Sequence, residues 1–159
     1  MTEEEREFIG FFMGEGCISI TKRYLKSSKG IRICYEPTLT ISARVDDSKI
    51  IEWCKKQFGG SIYCYKAREI IGYKGKKYKQ NPVIRWDISK LSDCKKVISI
   101  LNKGILPTKK KKEILVMQQF LEEKTQGKRN GFQGRWFTDE QLKKQANLKK
   151  SLSSLKVFS

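Results

Sequence analysis

Carboxylates and lysines are the side chains to which hydrolytic chemistry in this sequence points, because the chain contains no histidine. Without an imidazole there is no Ser–His or Cys–His dyad and no histidine general base. Any hydrolysis would depend on carboxylates, lysines, a metal ion and water. The most suggestive carboxylate is Glu15, which ends an apolar segment that contains two glycines, and the most suggestive lysines form the run 109–112.

The cysteines argue against two other kinds of site. There are five, an odd number, and no C-x-x-C pair occurs among them. This pattern is typical neither of a structural zinc site nor of a disulfide framework. Reduced thiols in an intracellular protein are therefore expected. No signal peptide is visible, and the apolar run 8–14 is too short to cross a bilayer, so no membrane association is expected.

The charge of the chain points to a polyanionic partner. The 34 lysines and arginines against 17 acids give a net charge of +17, and the basic residues are spread along the chain instead of along one amphipathic helix. This distribution favours nucleic acid over a membrane surface. Residues 1–15 differ, since they hold five acids and one base. The first segment is therefore expected to do something other than bind phosphates.

Local patterns predict the elements that position these groups. A capping box formed by Thr2 and Glu5 predicts a helix over 3–15, stopped by Gly16. Alternating apolar and polar residues predict a hairpin over 17–25 and 31–43. Helical spacing predicts helices near 50–58, 94–101 and 109–123, while 61–68 and 82–89 read as a second strand pair around a loop at 72–80.

The order of these elements predicts an α+β fold, in which helices cover one face of an antiparallel sheet. Residues 126–137 read as a loop, and a capping pair of Thr138 and Gln141 predicts a last helix over 138–150. The segment 126–159 carries eight bases and two acids. We therefore expect a core over 1–125 and a basic C-terminal extension over 126–159.

Residues 8–16, Phe-Ile-Gly-Phe-Phe-Met-Gly-Glu-Gly, resemble the motif of the LAGLIDADG homing endonucleases, with a departure at Met13, where an acid is common. The resemblance implies an αββαββα core with a saddle-shaped sheet over roughly 3–123. It also implies a homodimer that makes a staggered break in a long, pseudo-palindromic double-stranded DNA site. Mg²⁺ would be the cofactor, with Mn²⁺ or Ca²⁺ as substitutes, and no small-molecule cofactor is expected.

The same resemblance assigns roles to particular residues. Glu15 and Gly14 would hold the metal, Asp47 would position water, and Lys109 would act on the scissile phosphate, with Lys110 and Lys111 as alternatives. Lys111 could equally contact the DNA backbone. Capping of the second helix would also explain Asp47, and a solvated basic run would explain most of these lysines. The family often has a further basic residue where this chain has Ile51, and Lys49 is the candidate to substitute for it.

The two glycines of the first helix suggest close packing against another backbone. Gly10 and Gly14 are four residues apart and share one face. Each costs about 1 kcal/mol in a helix relative to alanine, and close approach of a second helix would offset that cost. The chain has no second such segment, so we expect a dimer interface built from Phe8, Gly10, Phe11 and Gly14. The alternative is that the glycines pack against the sheet and that Glu15 is a solvated acid at the helix end.

Alternation divides the predicted hairpin into two faces. The apolar face holds Ile18, Ile20, Ile33, Leu39 and Ile41. The other face carries hydrogen-bonding side chains, which a two-stranded ribbon can present to the major groove: Ser19, Thr21, Arg23, Arg32, Glu36, Thr38, Thr40 and Ser42. Ser61, Tyr63, Tyr65 and Arg85 should extend this face. An ordinary solvent-exposed sheet face is the alternative.

Two other functions are compatible with the sequence. A non-catalytic module on the same fold, such as an intron maturase or a transcriptional regulator, would use the DNA-binding face without cutting. A different metal nuclease could use Asp87 and Lys90 as an acid–lysine pair, although the upstream acid on an adjacent strand is missing.

Overall fold

The structure is a computed structural model that describes residues 1–130 and 137–157, with residues 127–130 described by their backbone only. Its strands are β1 (Gly16–Ser27), β2 (Gly30–Arg44), β3 (Ser61–Tyr65), β4 (Arg68–Ile71), β5 (Lys77–Gln80) and β6 (Val83–Ile88). Its helices are α1 (Glu3–Glu15), α2 (Ser48–Phe58), α3 (Leu91–Leu101), α4 (Thr108–Asn130) and α5 (Asp139–Ser154). This order confirms the αββαββα core with an added C-terminal helix.

Helix α1 begins and ends where its sequence predicts. The hydroxyl of Thr2 accepts a hydrogen bond from the backbone of Glu5, and the carboxylate of Glu5 accepts one from the backbone of Thr2, so the capping box is formed. At the other end the Gly16 N–H donates to the Phe12 carbonyl. A Cβ on Gly16 would lie 2.4 Å from that carbonyl oxygen, so glycine allows the chain to pass from helix to strand without a linker.

The main sheet is antiparallel, with the order β1-β2-β6-β3. Alternate residues of β2 and β6 are buried, as the predicted period of two requires. Ile18, Ile20, Leu39 and Ile41 lie in the core, whereas Ile33, near the tip of the hairpin, is 40 % exposed. The helices therefore cover one face of the sheet, and the polar face remains open.

Phe8 lies inside this core, which corrects its predicted place at the dimer interface. Its side chain is fully buried. Its ring centroid lies 5.5 Å from that of Trp53 and 5.3 Å from that of Phe58, both in α2. The ring centroid of Phe58 in turn lies 5.9 Å from that of Trp86 in β6. Phe8 therefore joins α1 to α2 and the sheet and has no exposed surface for a partner.

Phe8→Ala should lower the free energy of unfolding by about 3–5 kcal/mol, because it removes a fully buried ring and leaves a cavity. Urea unfolding followed by circular dichroism measures the change. Tyr63→Ala is the matched control, since this aromatic ring is 48 % exposed and its loss should cost less than about 0.5 kcal/mol. A Phe8→Ala protein with wild-type stability but a weakened dimer would restore the interface role.

The C-terminal region is part of the same packed unit, which corrects the predicted boundary between 125 and 126. Helix α4 continues through that boundary to Asn130, where a loop was predicted; residues 131–136 of that loop lie outside the described residues. Helix α5 begins at the predicted capping box of Thr138 and Gln141. It packs against α4 and the first hairpin and buries Gln145 and Leu152.

The strands of the second pair, β3 and β6, are shorter than predicted, and two further strands lie between them. Strand β3 ends at Tyr65, and β4 and β5 form a separate two-stranded antiparallel sheet over the predicted loop. This small hairpin exposes Glu69 and the apolar Ile70 and Ile71, together with six basic side chains and two tyrosines: Lys66, Arg68, Lys74, Lys76, Lys77, Lys79, Tyr73 and Tyr78.

Candidate active site and nucleic-acid interface

Glu15 stands at the junction of α1 with the sheet. It is the last residue of α1, it is exposed, and Gly16 begins β1 immediately after it. A carboxylate in the last turn faces the negative end of the helix dipole, an unfavourable position that a bound cation would make favourable. Gly10 and Gly14 are exposed on the same helix, and a Cβ added to either would meet nothing within 4 Å.

Glu15 and Asp47 line the same cavity, of about 370 Å³, as do Phe11, Ser42, Ala43, Arg44 and Val83. Three parts of the fold meet here: the end of α1, the end of β2 and the 3-10 turn Val45–Asp47 that leads into α2. Asp47 occupies the N-cap position of α2, but its side chain makes no capping hydrogen bond. Capping therefore does not account for this carboxylate, which is available to the cavity.

Arg44 in this cavity is a residue that the sequence reasoning missed. It is exposed at the end of β2 and shares the polar face with Ser42 and Thr40, two and four residues earlier. Continuing the alternation by one step would have found it. Its guanidinium, which lines the cavity together with the two carboxylates, is a donor suited to phosphate oxygens.

Lys110, one residue after the predicted Lys109, reaches the end of α1. Its ammonium donates to the Gly16 carbonyl at 3.0 Å and lies 3.3 Å from a carboxylate oxygen of Glu113. It also lies 5.8 Å from the centre of the Phe12 ring. The Lys110 side chain is only 17 % exposed and that of Glu113 is 5 % exposed. Lys109, Lys111 and Lys112 are exposed.

The open face of the sheet carries the predicted polar side chains in register. Ser19 pairs with Thr38 and Thr21 with Glu36 across the first hairpin. Ser42 pairs with Arg85, which in turn pairs with Tyr63. Every predicted contact residue of the strands therefore lies on one surface. Besides these pairs, that surface holds Arg23, Arg32, Thr40, Ser61 and Tyr65.

Two arginines on this surface are held by acids. The Arg23 Nε lies 2.6 Å from Glu36, and the Arg85 Nε donates to Asp87 at 2.8 Å. Each acid contacts the Nε of its arginine, and a guanidinium has four further N–H groups that can bind an acceptor. Asp87 is therefore engaged with Arg85, and this pairing argues against the alternative that joins Asp87 to Lys90 in a nuclease site.

The donors around the cavity fit a hard divalent cation. Carboxylate oxygens come from Glu15 and Asp47, and the terminal carbonyls of α1 lie beside them; oxygen ligands of this type suit Mg²⁺ and Ca²⁺. Within residues 1–130 and 137–157, however, no three histidine, cysteine or acidic side chains are grouped closely enough to hold a metal ion. Mg²⁺ is commonly held by one or two carboxylates, with water and substrate phosphate as its remaining ligands.

The cysteines are free, and two are deeply buried. Burial raises the pKa of the Cys54 and Cys94 thiols to about 12. Both therefore remain neutral thiols that pack as small apolar groups. Among the described residues, none of the helices is both long and apolar enough to span a membrane.

Three solved structures show the same fold. I-SmaMI bound to an uncleaved DNA target in the presence of calcium ions has 20% identity and a TM-score of 0.67, over 97% of this chain and 46% of that one. The homing endonuclease I-TnaI has 21% identity and a TM-score of 0.66, over 98% and 95%. The group I intron-encoded I-CeuI complexed with DNA has 18% identity and a TM-score of 0.66, over 96% and 67%.

The chain thus spans about half the length of I-SmaMI and nearly all of I-TnaI. No curated protein sequence matches it significantly. The sequence profile of the LAGLIDADG endonucleases matches residues 8–121, from α1 through most of α4. Since that match covers most of the chain and includes the helix, the sheet and the cavity described above, the chain belongs to the LAGLIDADG endonuclease family.

Proposed function

We propose that this protein is a site-specific DNA endonuclease that acts as a homodimer and makes a staggered double-strand break by metal-assisted hydrolysis. The observation that carries the proposal is the cavity shared by Glu15 and Asp47. It lies where the glycine-bearing helix meets the open polar face of the sheet. A surface suited to reading DNA and a pair of carboxylates suited to cutting it are therefore adjacent.

Double-stranded DNA is the substrate that fits the surface and charge. The polar face of the first hairpin is a two-stranded ribbon, a shape that the major groove admits. Arg23 and Arg85, each oriented by an acid, are suited to guanine edges. The net charge of +17 supplies the attraction for phosphates. I-SmaMI and I-CeuI, which share the fold, are bound to DNA.

Each group near the cavity has a distinct part in the proposed reaction. Glu15 and the Gly14 carbonyl would hold a divalent cation, Mg²⁺ by preference, which would lower the pKa of a coordinated water and polarise the phosphate. Asp47 accepts a hydrogen bond from the water that attacks phosphorus and so orients it. Lys110 places a positive charge next to the oxygens on which charge develops.

The homodimer follows from the incompleteness of one chain. A single chain has one Glu15 and one open sheet face, whereas cutting both strands requires two sites, or one site that reorients. The exposed face of α1 with Gly10 and Gly14, flanked by Phe11, allows close approach of the same helix from a second copy. That arrangement brings the two Glu15 carboxylates together, and it predicts a pseudo-palindromic target.

A DNA-binding protein of the same fold that does not cut is the second candidate. Ile51, where the family often has a basic residue, is fully buried in this chain. No basic side chain can therefore stand at that position of the site. Such a protein would use the sheet face alone, as a maturase or a regulator.

A cleavage assay on a selected target separates these candidates. Duplexes with randomised centres are first enriched for binding and then incubated with the protein and Mg²⁺, with EDTA as the control. We expect cutting at a fixed position on each strand, with offset ends shown by end mapping. Specific binding without cleavage in Mg²⁺ or Mn²⁺ would favour the non-catalytic candidate.

Lys110→Ala should slow single-turnover cleavage about 100-fold, the usual effect of removing one donor that stabilises developing charge. Lys109→Ala, one residue away and exposed, is the matched control and should leave the cleavage rate nearly unchanged. Lys111→Ala should weaken DNA binding with a shallower salt dependence. If Lys109→Ala cleaves DNA more slowly than Lys110→Ala, the role of stabilising the developing charge belongs to Lys109, as the resemblance to the family implies.

A further inference from the structure

Two lysines from distant parts of the chain meet the free edge of β1, directly after Glu15. Strand β1 is at the edge of the main sheet and has β2 as its neighbour. The Gly16 carbonyl accepts from Lys110, and the Ile18 carbonyl accepts from Lys156. Carbonyls of residues two apart in a strand point to the same side. The two ammonium groups therefore follow one another along this edge.

Lys156 is placed there by the packing of the C-terminal helix. It lies two residues after the end of α5, in a tight turn where its N–H donates to the Ser153 carbonyl at 3.1 Å. Leu152, one turn earlier, is 2% exposed and anchors the helix end in the core. Lys156 itself is half-buried, whereas Lys150 on the same helix is exposed. Its position is therefore fixed by the fold.

The charge of Lys156 is not offset by its neighbours. Within the described residues its side chain has two partners, the Ile18 carbonyl and the Cys17 sulfur at 3.3 Å. Neither partner is a carboxylate, in contrast to Lys110, which has Glu113. Cys17 pairs with Thr40 on the open face of the sheet, and its side chain alternates with those of the core. The ammonium of Lys156 therefore lies where the free edge of β1 meets the open polar face of the sheet.

We infer that Lys156 is a DNA-backbone ligand of the active site, which binds a phosphate next to the one that is cut. The inference rests on the proposed function and adds to it a residue beyond the segment 8–121 that the family profile matches. Glu15, Lys110 and Lys156 then form a short track along which one DNA strand passes. The C-terminal extension contributes to the site itself through this residue, in addition to any general attraction by its other bases.

The test compares Lys156→Met with Lys150→Ala. Methionine keeps an unbranched side chain of similar reach and loses only the charge, while Lys150 controls for the loss of a basic residue on α5. DNA binding is measured in EDTA by fluorescence anisotropy over a range of salt concentrations. Lys156→Met should reduce the slope of log K against log salt by about 0.9, the value for one phosphate contact, and Lys156→Arg should keep the slope.

A second arm locates the contact. Single phosphates around the cut are replaced by neutral methylphosphonates, and each is tested with the wild type and with Lys156→Met. At the contacted phosphate the two changes should be non-additive, since either one removes the same interaction. That phosphate should lie within about two nucleotides of the cut, because neighbouring residues on the edge of β1 are about 3.3 Å apart.

Additive penalties at every phosphate, or a salt slope for Lys156→Met equal to that of Lys150→Ala, would overturn the inference. Because binding is measured without metal, a protein that binds but never cuts would refute the proposed catalysis and still decide the role of Lys156 in binding. A wild-type protein that does not bind DNA at all would overturn both.

Discussion

Glu15→Gln abolishes DNA cleavage while DNA binding stays within a few-fold of the wild type: this is the expected result with the largest effect on activity. The substitution removes the charge of the one carboxylate at the end of α1 and keeps its shape. A bound divalent cation contributes several kcal/mol to stabilising the transition state, and each 1.36 kcal/mol is tenfold in rate. We therefore expect a loss of about a thousandfold or more in single-turnover cleavage.

The fold should be unaffected by this change. Glu15 is exposed, and an acid in the last turn opposes the helix dipole, so its neutralisation should leave the unfolding temperature equal or slightly higher. Glu4→Gln, an exposed acid in the first turn of the same helix, is the matched control and should cut normally. Near wild-type cleavage by Glu15→Gln would remove this residue from the mechanism.

Gly10→Leu should turn the dimer into a monomer and abolish cleavage of both strands. A Cβ on Gly10 meets nothing within 4 Å in one chain, so the leucine is accommodated there without strain. Replacing glycine inside a helix should even stabilise the chain, by about 0.8 kcal/mol. The same side chain would separate two helices that approach at their glycines. The free energy of unfolding of the chain should therefore rise while the affinity of the two subunits for each other falls.

Sedimentation velocity gives the mass of each variant, and urea unfolding gives its stability. Glu4→Leu places the same side chain in the first turn of α1, six residues from Gly10 and about 120° around the helix, and should remain dimeric and active. A wild-type protein that stays monomeric on its target, or a Gly10→Leu protein that is dimeric and fully active, would refute the proposed architecture. A less stable Gly10→Leu chain would show that this glycine packs within one subunit.

The features predicted correctly from sequence depend on contacts between near neighbours in the chain. The capping box of Thr2 and Glu5 begins α1, and the period of two along β1 and β2 assigns each side chain to a face. Glu15 and Asp47 come from separate elements, and composition alone gives no measure of their separation. The resemblance to the family indicated both, and the structure places them in one cavity.

The features missed depend on helix phase and on distant contacts. The lysines 109–112 look equivalent in sequence, but Lys110 lies four residues before Ile114 and seven before Met117, which are both fully buried. It is therefore on the packed side of α4, a signal that helical spacing could have shown. Phe8 looked like an interface residue because nothing nearby in the chain reveals its contacts with Trp53 and Phe58.

The docking of α5 and the small β4–β5 sheet were missed for a similar reason. A helix with many lysines reads as a solvated appendage, yet Gln145 and Leu152 bury one stripe of it against the core. The segment 66–80 contains eight glycines and basic residues among its fifteen, which masked the short alternation of two strands. In both cases the composition predicted a solvent-exposed segment without regular structure, whereas the contacts of a few side chains determine the helix packing or the strand pairing.

The absence of a linker between α1 and β1 fixes the distance between Glu15 and the side chains of the first hairpin. Glu15 and Gly16 are consecutive, and the hydrogen bond from Gly16 to Phe12 locks the junction. In the proposed mechanism, the Glu15 carboxylate that marks the cut is therefore held directly next to β1, the strand whose side chains would contact the bases. Side chains on the hairpin can be exchanged over evolutionary time, or by an engineer, to select another target. Under this proposal, the distance between the contacted bases and the cleaved bond would stay the same after such exchanges. It depends on the backbone at the junction of α1 and β1, and not on any of the exchanged side chains.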